Sequence, residues 1–211
     1  MNLKCLSYLS FNDQSNTLKD DIKDSQYTSY FWWHGNSNPS IINGEGIYLK
    51  NSLLCFNLNR NISFRSNFTI DFLYNCKSTA SYDIAMMFSE YTADKSLKYR
   101  WSTDELFKLS ENPSWVFNKY RRYTWSSDGK KYRLFFDGKQ IGSGDYISDK
   151  VGFYLNGHDP WNGGGYATGI IKYVALYALP ITQNFDVDEN FDADFNNLYG
   201  DNDNLYGYKK E

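Results

Sequence analysis

Two Asp-Gly pairs, Asp128-Gly129 and Asp137-Gly138, separate three short runs of β-forming residues in the middle of the chain. Asp-Gly accepts a positive φ at both central positions of a turn, which is the backbone conformation that a two-residue β-hairpin needs. The runs that these pairs separate are 123–125, 132–136 and 140–141. This stretch therefore predicts a three-stranded antiparallel meander.

The remainder of the chain is also built from short runs of β-forming residues, and no long segment keeps a helical period. In the run 68–74, alternate residues are apolar and share one face, whereas the run 83–88 is apolar throughout, as in a strand buried on both faces. Further strands are predicted at 3–9, 46–49, 53–56, 151–155 and 170–177, a hairpin at 97–110, and a mostly irregular polar loop at 11–45. Many short strands with no helix between them predict an all-β, antiparallel two-sheet β-sandwich of the jelly-roll type.

The last part of the chain differs in composition from the rest. Residues 184–211 hold eight acidic residues against two lysines, and they are too polar to form a core of their own. We therefore predict a sandwich domain over 1–183 and a short, extended, acidic and aromatic tail over 184–211. Because the whole chain of 211 residues has a net charge of −3, the domain is slightly basic, and this pairing predicts that the tail docks on a basic surface.

Composition also excludes several classes of function. A domain so close to neutral gives no argument for a nucleic-acid partner, and no apolar run is long enough to span a membrane. The N-terminus lacks the apolar segment of a secretory signal. The three cysteines, Cys5, Cys55 and Cys76, have no metal-ligand spacing and are predicted to be buried thiols.

Several motifs occur together in the predicted strands. They are Ser114-Trp115-Val116, a Tyr-x-Leu-Phe-x-Asp-Gly-x-x-x-Gly hairpin over 132–142, a Phe-Thr-Ile-x-Phe strand over 68–72, and a Gly-x-Ile-x-x-Val-x-x-Tyr strand over 169–177. Together they resemble the concanavalin A-like lectin/glucanase superfamily, most closely its laminin-G-like branch, over residues 3–182. One departure is Lys172, where the family pattern usually carries Asp. The resemblance implies a sandwich fold, which hosts lectins, adhesion modules, glycosidases and structural proteins alike.

The sequence lacks the residues that catalysis would need. Glycosidases of the superfamily place two or three carboxylates at Glu-x-Asp spacing on one strand, so that they reach into one cleft. Here Asp104-Glu105 and Asp188-Glu189 are adjacent and would point to opposite faces of a strand. The two histidines, His34 and His158, lie in no nucleophile motif. We therefore predict no catalytic residues and a protein that is not an enzyme.

Two clusters of residues have the character of a sugar site, in which an aromatic face stacks on a pyranose ring and polar groups bind its hydroxyls. The candidate glycan-binding residues are Trp161, Asp159 and Asn162 in one loop, and Trp32, Trp33 and His34 in another. The alternative role for these tryptophans is packing in the core or over a sheet edge. The resemblance also implies a calcium ion at the sandwich rim, with Asp159 and Asn156 as candidate ligands and solvated turn residues as the alternative. No other cofactor is predicted.

Two functions follow from these observations. In the first, which the resemblance implies, the chain is a structural or decoration protein of a bacteriophage capsid or tail, made in the host cytoplasm without a signal peptide and located in the virion. Its tail would bind other virion proteins through Phe185, Phe191, Phe195, Leu198, Tyr199, Leu205 and Tyr206. In the alternative, the chain is a lectin-like, carbohydrate-binding module that attaches to surface glycans. Neither function excludes that the chain forms a homo-oligomer.

Overall fold

The computed structural model describes residues 5–11, 28–35, 37–58, 67–77, 83–88, 97–102, 118–145, 152–156 and 167–188. These residues form thirteen β-strands and no helix, so that none of them forms a helix able to cross a membrane. The first seven strands are β1 (Cys5–Leu9), β2 (Thr28–Gly35), β3 (Ser40–Ile42), β4 (Gly46–Lys50), β5 (Ser52–Leu58), β6 (Asn67–Cys76) and β7 (Asp83–Phe88). The last six are β8 (Leu97–Ser102), β9 (Tyr120–Asp128), β10 (Lys131–Phe136), β11 (Lys139–Asp145), β12 (Gly152–Leu155) and β13 (Thr168–Tyr177).

The strands form two antiparallel sheets. The large sheet has eight strands in the order β11-β10-β9-β6-β13-β4-β3, with β1 also paired to β13, and the small sheet has the order β2-β5-β12-β7-β8. Strand β13 pairs with β4 near its start and with β1 near its end, and its register shifts between Ile171 and Tyr173. Lys172 lies at this irregularity, where its ammonium group is 5.8 Å from the ring centroid of Tyr120. The predicted all-β two-sheet sandwich is confirmed.

The core lies between the inner faces of the two sheets. Phe68, Ile70, Phe72 and Tyr74 are buried on one face of β6, as the alternation predicts. The register places Phe72 opposite Tyr123 of β9, and their rings stack at a centroid distance of 5.1 Å. From the small sheet, Leu54 and Leu155 join the same apolar cluster. The two sheets therefore make contact through large apolar side chains at every second position of a strand, which share its inner face.

The outer face of the large sheet is also buried at its centre, because residues 178–188, which we call the strap, cross it diagonally. The Thr69 hydroxyl donates to the Leu179 carbonyl over 2.7 Å, and the Ile181 amide donates to Ser126 Oγ over 2.6 Å. Further along, the Phe185 amide donates to the Gly138 carbonyl over 3.0 Å. The predicted domain boundary after residue 183 therefore cuts a segment that packs on the sheet, and the sandwich extends to Asp188 at least.

The two Asp-Gly turns of the meander differ in detail. At the second turn, Asp137 (φ 46°) and Gly138 (φ 76°) occupy the two central positions, as predicted. At the first turn, Asp128 is the last residue of β9, and the link consists of Gly129 (φ 79°) and Lys130. Asp128 thus precedes the two-residue link, and its carboxylate stabilises the turn because it accepts hydrogen bonds from the amides of Lys130 and Lys131.

One predicted element needs correction, and another is described only in part. The segment 11–45 is not an irregular loop throughout, because β2 and β3 lie within it. The sequence of β2, Thr-Ser-Tyr-Phe-Trp-Trp-His-Gly, has consecutive aromatic residues and no alternation, so that its pattern did not indicate a strand. Within the predicted hairpin 97–110, residues 97–102 form strand β8, which pairs with β7, and residues 103–110 lie outside the described part. Cys76 is a buried free thiol, as predicted.

Candidate functional site

The candidate site is the end of the sandwich at which β12 ends and β13 begins. Strands β2 and β6 also end there, whereas β5 and β9 begin there, because the register pairs Gly35 with Ser52 and Cys76 with Gly169. We call this end the loop rim. Its described residues are Gly35, Lys50, Asn51, Ser52, Lys77, Asp83, Ser102, Asn118, Lys119, Asn156, Ala167 and Thr168.

The register of β5 brings the backbone of the first predicted glycan-binding cluster close to the end of β12. Leu54 of β5 is the partner of Trp33 on one side and of Leu155 on the other. Since neighbouring strands are about 4.8 Å apart, the backbones of Trp33 and Leu155 are separated by about 10 Å. The second cluster follows the end of β12 in the sequence. The side chains of the first cluster lie outside the described part of the structure, and so do Asp159, Trp161 and Asn162 of the second.

Asn156 closes the neck of the loop 157–166. Its side chain is fully buried, and its φ is 71°. The Asn156 Nδ2 group donates to the carbonyl oxygens of Ser52 and Ala167, and Oδ1 accepts a hydrogen bond from the Tyr74 hydroxyl. Burial raises the pKa of Tyr74 well above its ordinary value, so that this phenol remains a donor. A backbone hydrogen bond also joins the two ends of this loop, because the Ala167 amide donates to the Asn156 carbonyl over 3.0 Å.

These contacts correct the predicted role of Asn156. A metal ligand at the rim would need an oxygen that faces the solvent or the ion, but Asn156 Oδ1 is buried and already accepts a hydrogen bond. The alternative of a solvated turn residue is equally wrong for this position. The second candidate ligand, Asp159, lies outside the described residues. Across the described ranges, no three His, Cys, Asp or Glu side chains are grouped so as to hold a metal ion.

Sequence patterns alone did not indicate three exposed lysines of the loop rim. Lys50 is the last residue of β4, Lys77 follows β6, and Lys119 precedes β9. Next to Lys119, the half-buried Tyr120 donates from its hydroxyl to the Glu45 carbonyl over 2.8 Å. Burial, and to a lesser degree the Glu45 carboxylate, raise the pKa of Tyr120 to about 12, so that it remains neutral. The only sequence signal for the lysines is their position beside strand ends.

Three carboxylates on the strands and turns of the large sheet are held by arginines. Asp71 accepts two hydrogen bonds from the Arg122 guanidinium, at 2.9 and 2.6 Å, in a fully buried pair. Asp137 contacts Arg121, and Asp128 contacts Arg133, each at 2.8 Å. Burial raises the pKa of Asp137 despite the hydrogen bond from the Arg122 amide and the charge of Arg121. These three carboxylates serve the packing and turns of the sheet.

The tail residues predicted to contact a partner divide into two groups. Phe185 is 7% exposed, and it packs in the apolar cluster that the strap forms with Phe135 and Tyr177 on the outer face. Its predicted role as a partner contact is therefore wrong, because the ring is already buried within the domain. The remaining residues of the predicted anchor lie outside the described part: Phe191, Phe195, Leu198, Tyr199, Leu205 and Tyr206.

No protein-family model matches the sequence, and no curated protein matches it. Among solved structures, the chain resembles domain 4 of AbnA, a GH43 extracellular arabinanase from Geobacillus stearothermophilus in complex with arabinotriose, with a TM-score of 0.57 at 13% identity. The match covers 86% of this chain and 96% of that domain. A second similar structure is the botulinum neurotoxin serotype D binding domain, with a TM-score of 0.54, 14% identity and coverages of 84% and 49%. Trypanosoma rangeli sialidase in complex with sialic acid matches with a TM-score of 0.58, 11% identity and coverages of 83% and 31%.

At these identities the likeness shows the fold alone, which is an all-β sandwich. The chain spans about half of the toxin binding domain and about a third of the sialidase, but nearly all of the arabinanase domain.

Proposed function

We propose that this chain is a non-catalytic, carbohydrate-binding module whose site is the loop rim. One observation carries the proposal: Leu54 pairs with both Trp33 and Leu155. The backbone of Trp33 therefore lies about 10 Å from that of Leu155, which precedes the segment with Trp161 in the sequence. In this proposal the two clusters act together, because a sugar site needs both aromatic and hydrogen-bonding side chains.

The structural neighbours support this proposal. The domain whose length this chain nearly matches is part of an arabinanase and was solved with arabinotriose, and the sialidase was solved with sialic acid. Both ligands are carbohydrates. The arabinanase domain is a separate domain of its enzyme, which is the arrangement expected of a binding module.

The non-catalytic part of the proposal rests on the carboxylates. Asp71, Asp128 and Asp137 each contact an arginine, and Asp71 is fully buried. Hydrolysis of a glycosidic bond needs two carboxyl groups that face each other across a cleft that the sugar can enter. These three carboxylates do not have that arrangement. We therefore assign the rim to binding.

A role as a structural protein of a bacteriophage particle remains a prediction that none of these observations favours. The contacts of Phe185 argue against this role, because this residue of the predicted anchor packs inside the domain. Virion partners and a virion location likewise remain predictions.

The experiment is a binding measurement on the full chain with arabinotriose and a broad glycan array as probes. We expect the wild-type protein to bind at least one glycan, Trp161→Ala to lose that binding, and Trp161→Phe to retain part of it, because Phe keeps an aromatic face. Thermal unfolding of both variants serves as the control for folding. If no glycan on the array binds, or if Trp161→Ala binds as the wild type does, the proposed site is wrong.

A further inference from the structure

We propose that Asn43 is a site of spontaneous deamidation, at which the side-chain amide is converted into a carboxylate. Asparagine is chemically labile, and a following glycine favours the reaction because it has no side chain to hinder attack by its own backbone nitrogen. The chain has three such pairs, Asn43-Gly44, Asn156-Gly157 and Asn162-Gly163. The structure distinguishes Asn43 from Asn156, whereas the pair Asn162-Gly163 lies outside the described residues.

Asn43 and Gly44 form the tip of the hairpin that joins β3 to β4. The Glu45 amide donates to the Ile42 carbonyl over 2.9 Å, so that residues 42–45 form a turn with the Asn-Gly pair at its centre. Gly44 has a φ of 76°, a value that glycine accepts readily at this position of a turn. Both central residues are exposed, and a Cβ atom at Gly44 would meet nothing within 4 Å. The pair is therefore open to water and to a base.

The reaction uses this pair of residues, a base and water. The base removes the proton of the Gly44 amide, and the nitrogen attacks Cγ of Asn43. A bond forms between this nitrogen and Cγ, the bond from Cγ to Nδ2 breaks, and Nδ2 takes up a proton and leaves as ammonia. Water then opens the resulting cyclic imide at either of its carbonyl groups. The product is aspartate, or isoaspartate, in which the main chain runs through the former side chain.

Asn156 is held in a way that blocks the same reaction. Its side chain is fully buried, Nδ2 donates to the carbonyl oxygens of Ser52 and Ala167, and Oδ1 accepts a hydrogen bond from the Tyr74 hydroxyl. Attack on Cγ would require the side chain to turn away from these partners, which would leave buried polar groups without hydrogen bonds. The fold therefore favours reaction at Asn43 over reaction at Asn156, although a glycine follows each of them.

Deamidation at Asn43 alters a turn that is tied to β9. The Tyr120 hydroxyl donates to the Glu45 carbonyl over 2.8 Å. Isoaspartate adds a carbon to the main chain between Ile42 and Glu45, so that the turn must rearrange and this carbonyl must shift. Aspartate leaves the main chain as it is and adds a carboxylate two residues before that of Glu45. We therefore expect the isoaspartate form to melt at a lower temperature than the aspartate form, which Asn43→Asp provides.

The test incubates the full chain in mildly alkaline buffer, once folded and once unfolded in urea, and follows each Asn-Gly pair by peptide mapping with tandem mass spectrometry. Gly44→Ala and Asn43→Gln are incubated beside the wild type. The first variant keeps the amide but places a methyl group next to the attacking nitrogen. The second has a longer side chain, which closes a larger ring and does so far more slowly. Circular dichroism before incubation shows that each variant is folded.

We expect Asn43 to deamidate in the folded protein and in urea alike, with aspartate and isoaspartate as products, and Asn156 to deamidate only in urea. Gly44→Ala should slow the reaction at residue 43 several-fold, and Asn43→Gln should abolish it. If Asn43 stays intact in the folded chain while it reacts in urea, the turn protects it and the inference is wrong. It is equally wrong if Asn156 reacts as fast as Asn43 in the folded chain, because burial then makes no difference.

Discussion

The ring of Phe185 lies 5.6 Å from the ring of Phe135, at an interplanar angle of 52°, on the outer face of the large sheet. This contact joins the end of the strap to β10. Because Phe185 is 7% exposed, Phe185→Ala should destabilise the domain by about 3 kcal/mol, the usual range for removing a buried phenylalanine. Urea unfolding of the variant and the wild type measures the difference.

Two truncations extend this prediction. A chain that ends at Asp188 keeps Phe185 and the strap, and it should unfold at the same urea concentration as the full chain. A chain that ends at Gln183 loses Phe185 and its hydrogen bond to Gly138, and it should lose at least as much stability as Phe185→Ala. Equal stability of the two truncated chains would show that the strap contributes nothing to the sandwich.

Gly138 is the position at which the strap comes closest to the meander. Its φ is 76°, and a Cβ atom there would lie 1.9 Å from the Phe185 carbonyl oxygen. Gly44 has the same φ, but a Cβ atom there would meet nothing within 4 Å. Gly44→Ala should therefore cost about 1 kcal/mol for the left-handed backbone alone. Gly138→Ala should cost clearly more, because the strap must also move.

Chemical denaturation of the two glycine variants checks this comparison, and their shared φ makes each the control for the other. Fluorescence quenching of the aromatic residues offers a second readout, since a displaced strap would expose Phe135 and Tyr177. Equal losses of stability in both variants would mean that the strap can move away from residue 138 with no loss in the free energy of unfolding.

The parts of the fold that local sequence signals specify could be predicted, whereas those that depend on distant contacts could not. Turn chemistry at Asp137-Gly138 and the alternation in β6 depend on neighbouring residues. The strap has neither signal, because it is held by hydrogen bonds to Thr69 and Ser126, residues far away in the sequence.

The same distinction applies to the candidate site. Residue types indicated the two aromatic clusters, but the position of Trp33 two strands away from Leu155 depends on the register of β5 with β2 and β12. Register between distant strands is set by the packing of the whole sheet. The residue type of Asn156 indicated an oxygen ligand, whereas its burial and hydrogen bonds give it a structural role. Only the three-dimensional structure distinguishes these uses of the same side chain.

The buried pair of Asp71 and Arg122 should be far more sensitive to substitution than an exposed pair. Arg122→Ala leaves the Asp71 carboxylate buried with only Thr124 and Tyr173 to donate to it, and should cost about 3–5 kcal/mol. Lys131→Ala removes an exposed partner 3.8 Å from Asp145, and its effect should stay within about 0.5 kcal/mol. Urea unfolding of both variants provides the comparison. A loss in Arg122→Ala as small as that in Lys131→Ala would mean that water reaches Asp71 in the variant.

Asp128 should make the stability of the first meander turn depend on pH. Its partial burial would raise the pKa, but hydrogen bonds from the Lys131 and Lys130 amides and the contact with Arg133 outweigh burial and lower the pKa from 3.8 to about 2. Because the folded-state pKa is the lower one, the ionised carboxylate stabilises the fold above about pH 4, and this contribution is lost as the pH falls towards about 2. Asp128→Asn keeps an oxygen that can accept the two amide hydrogen bonds but removes the charge that faces Arg133. The wild type should therefore melt at a higher temperature than Asp128→Asn at neutral pH, and the difference should shrink between about pH 4 and pH 2. A difference between the wild type and Asp128→Asn that stays constant over this range would contradict the assignment.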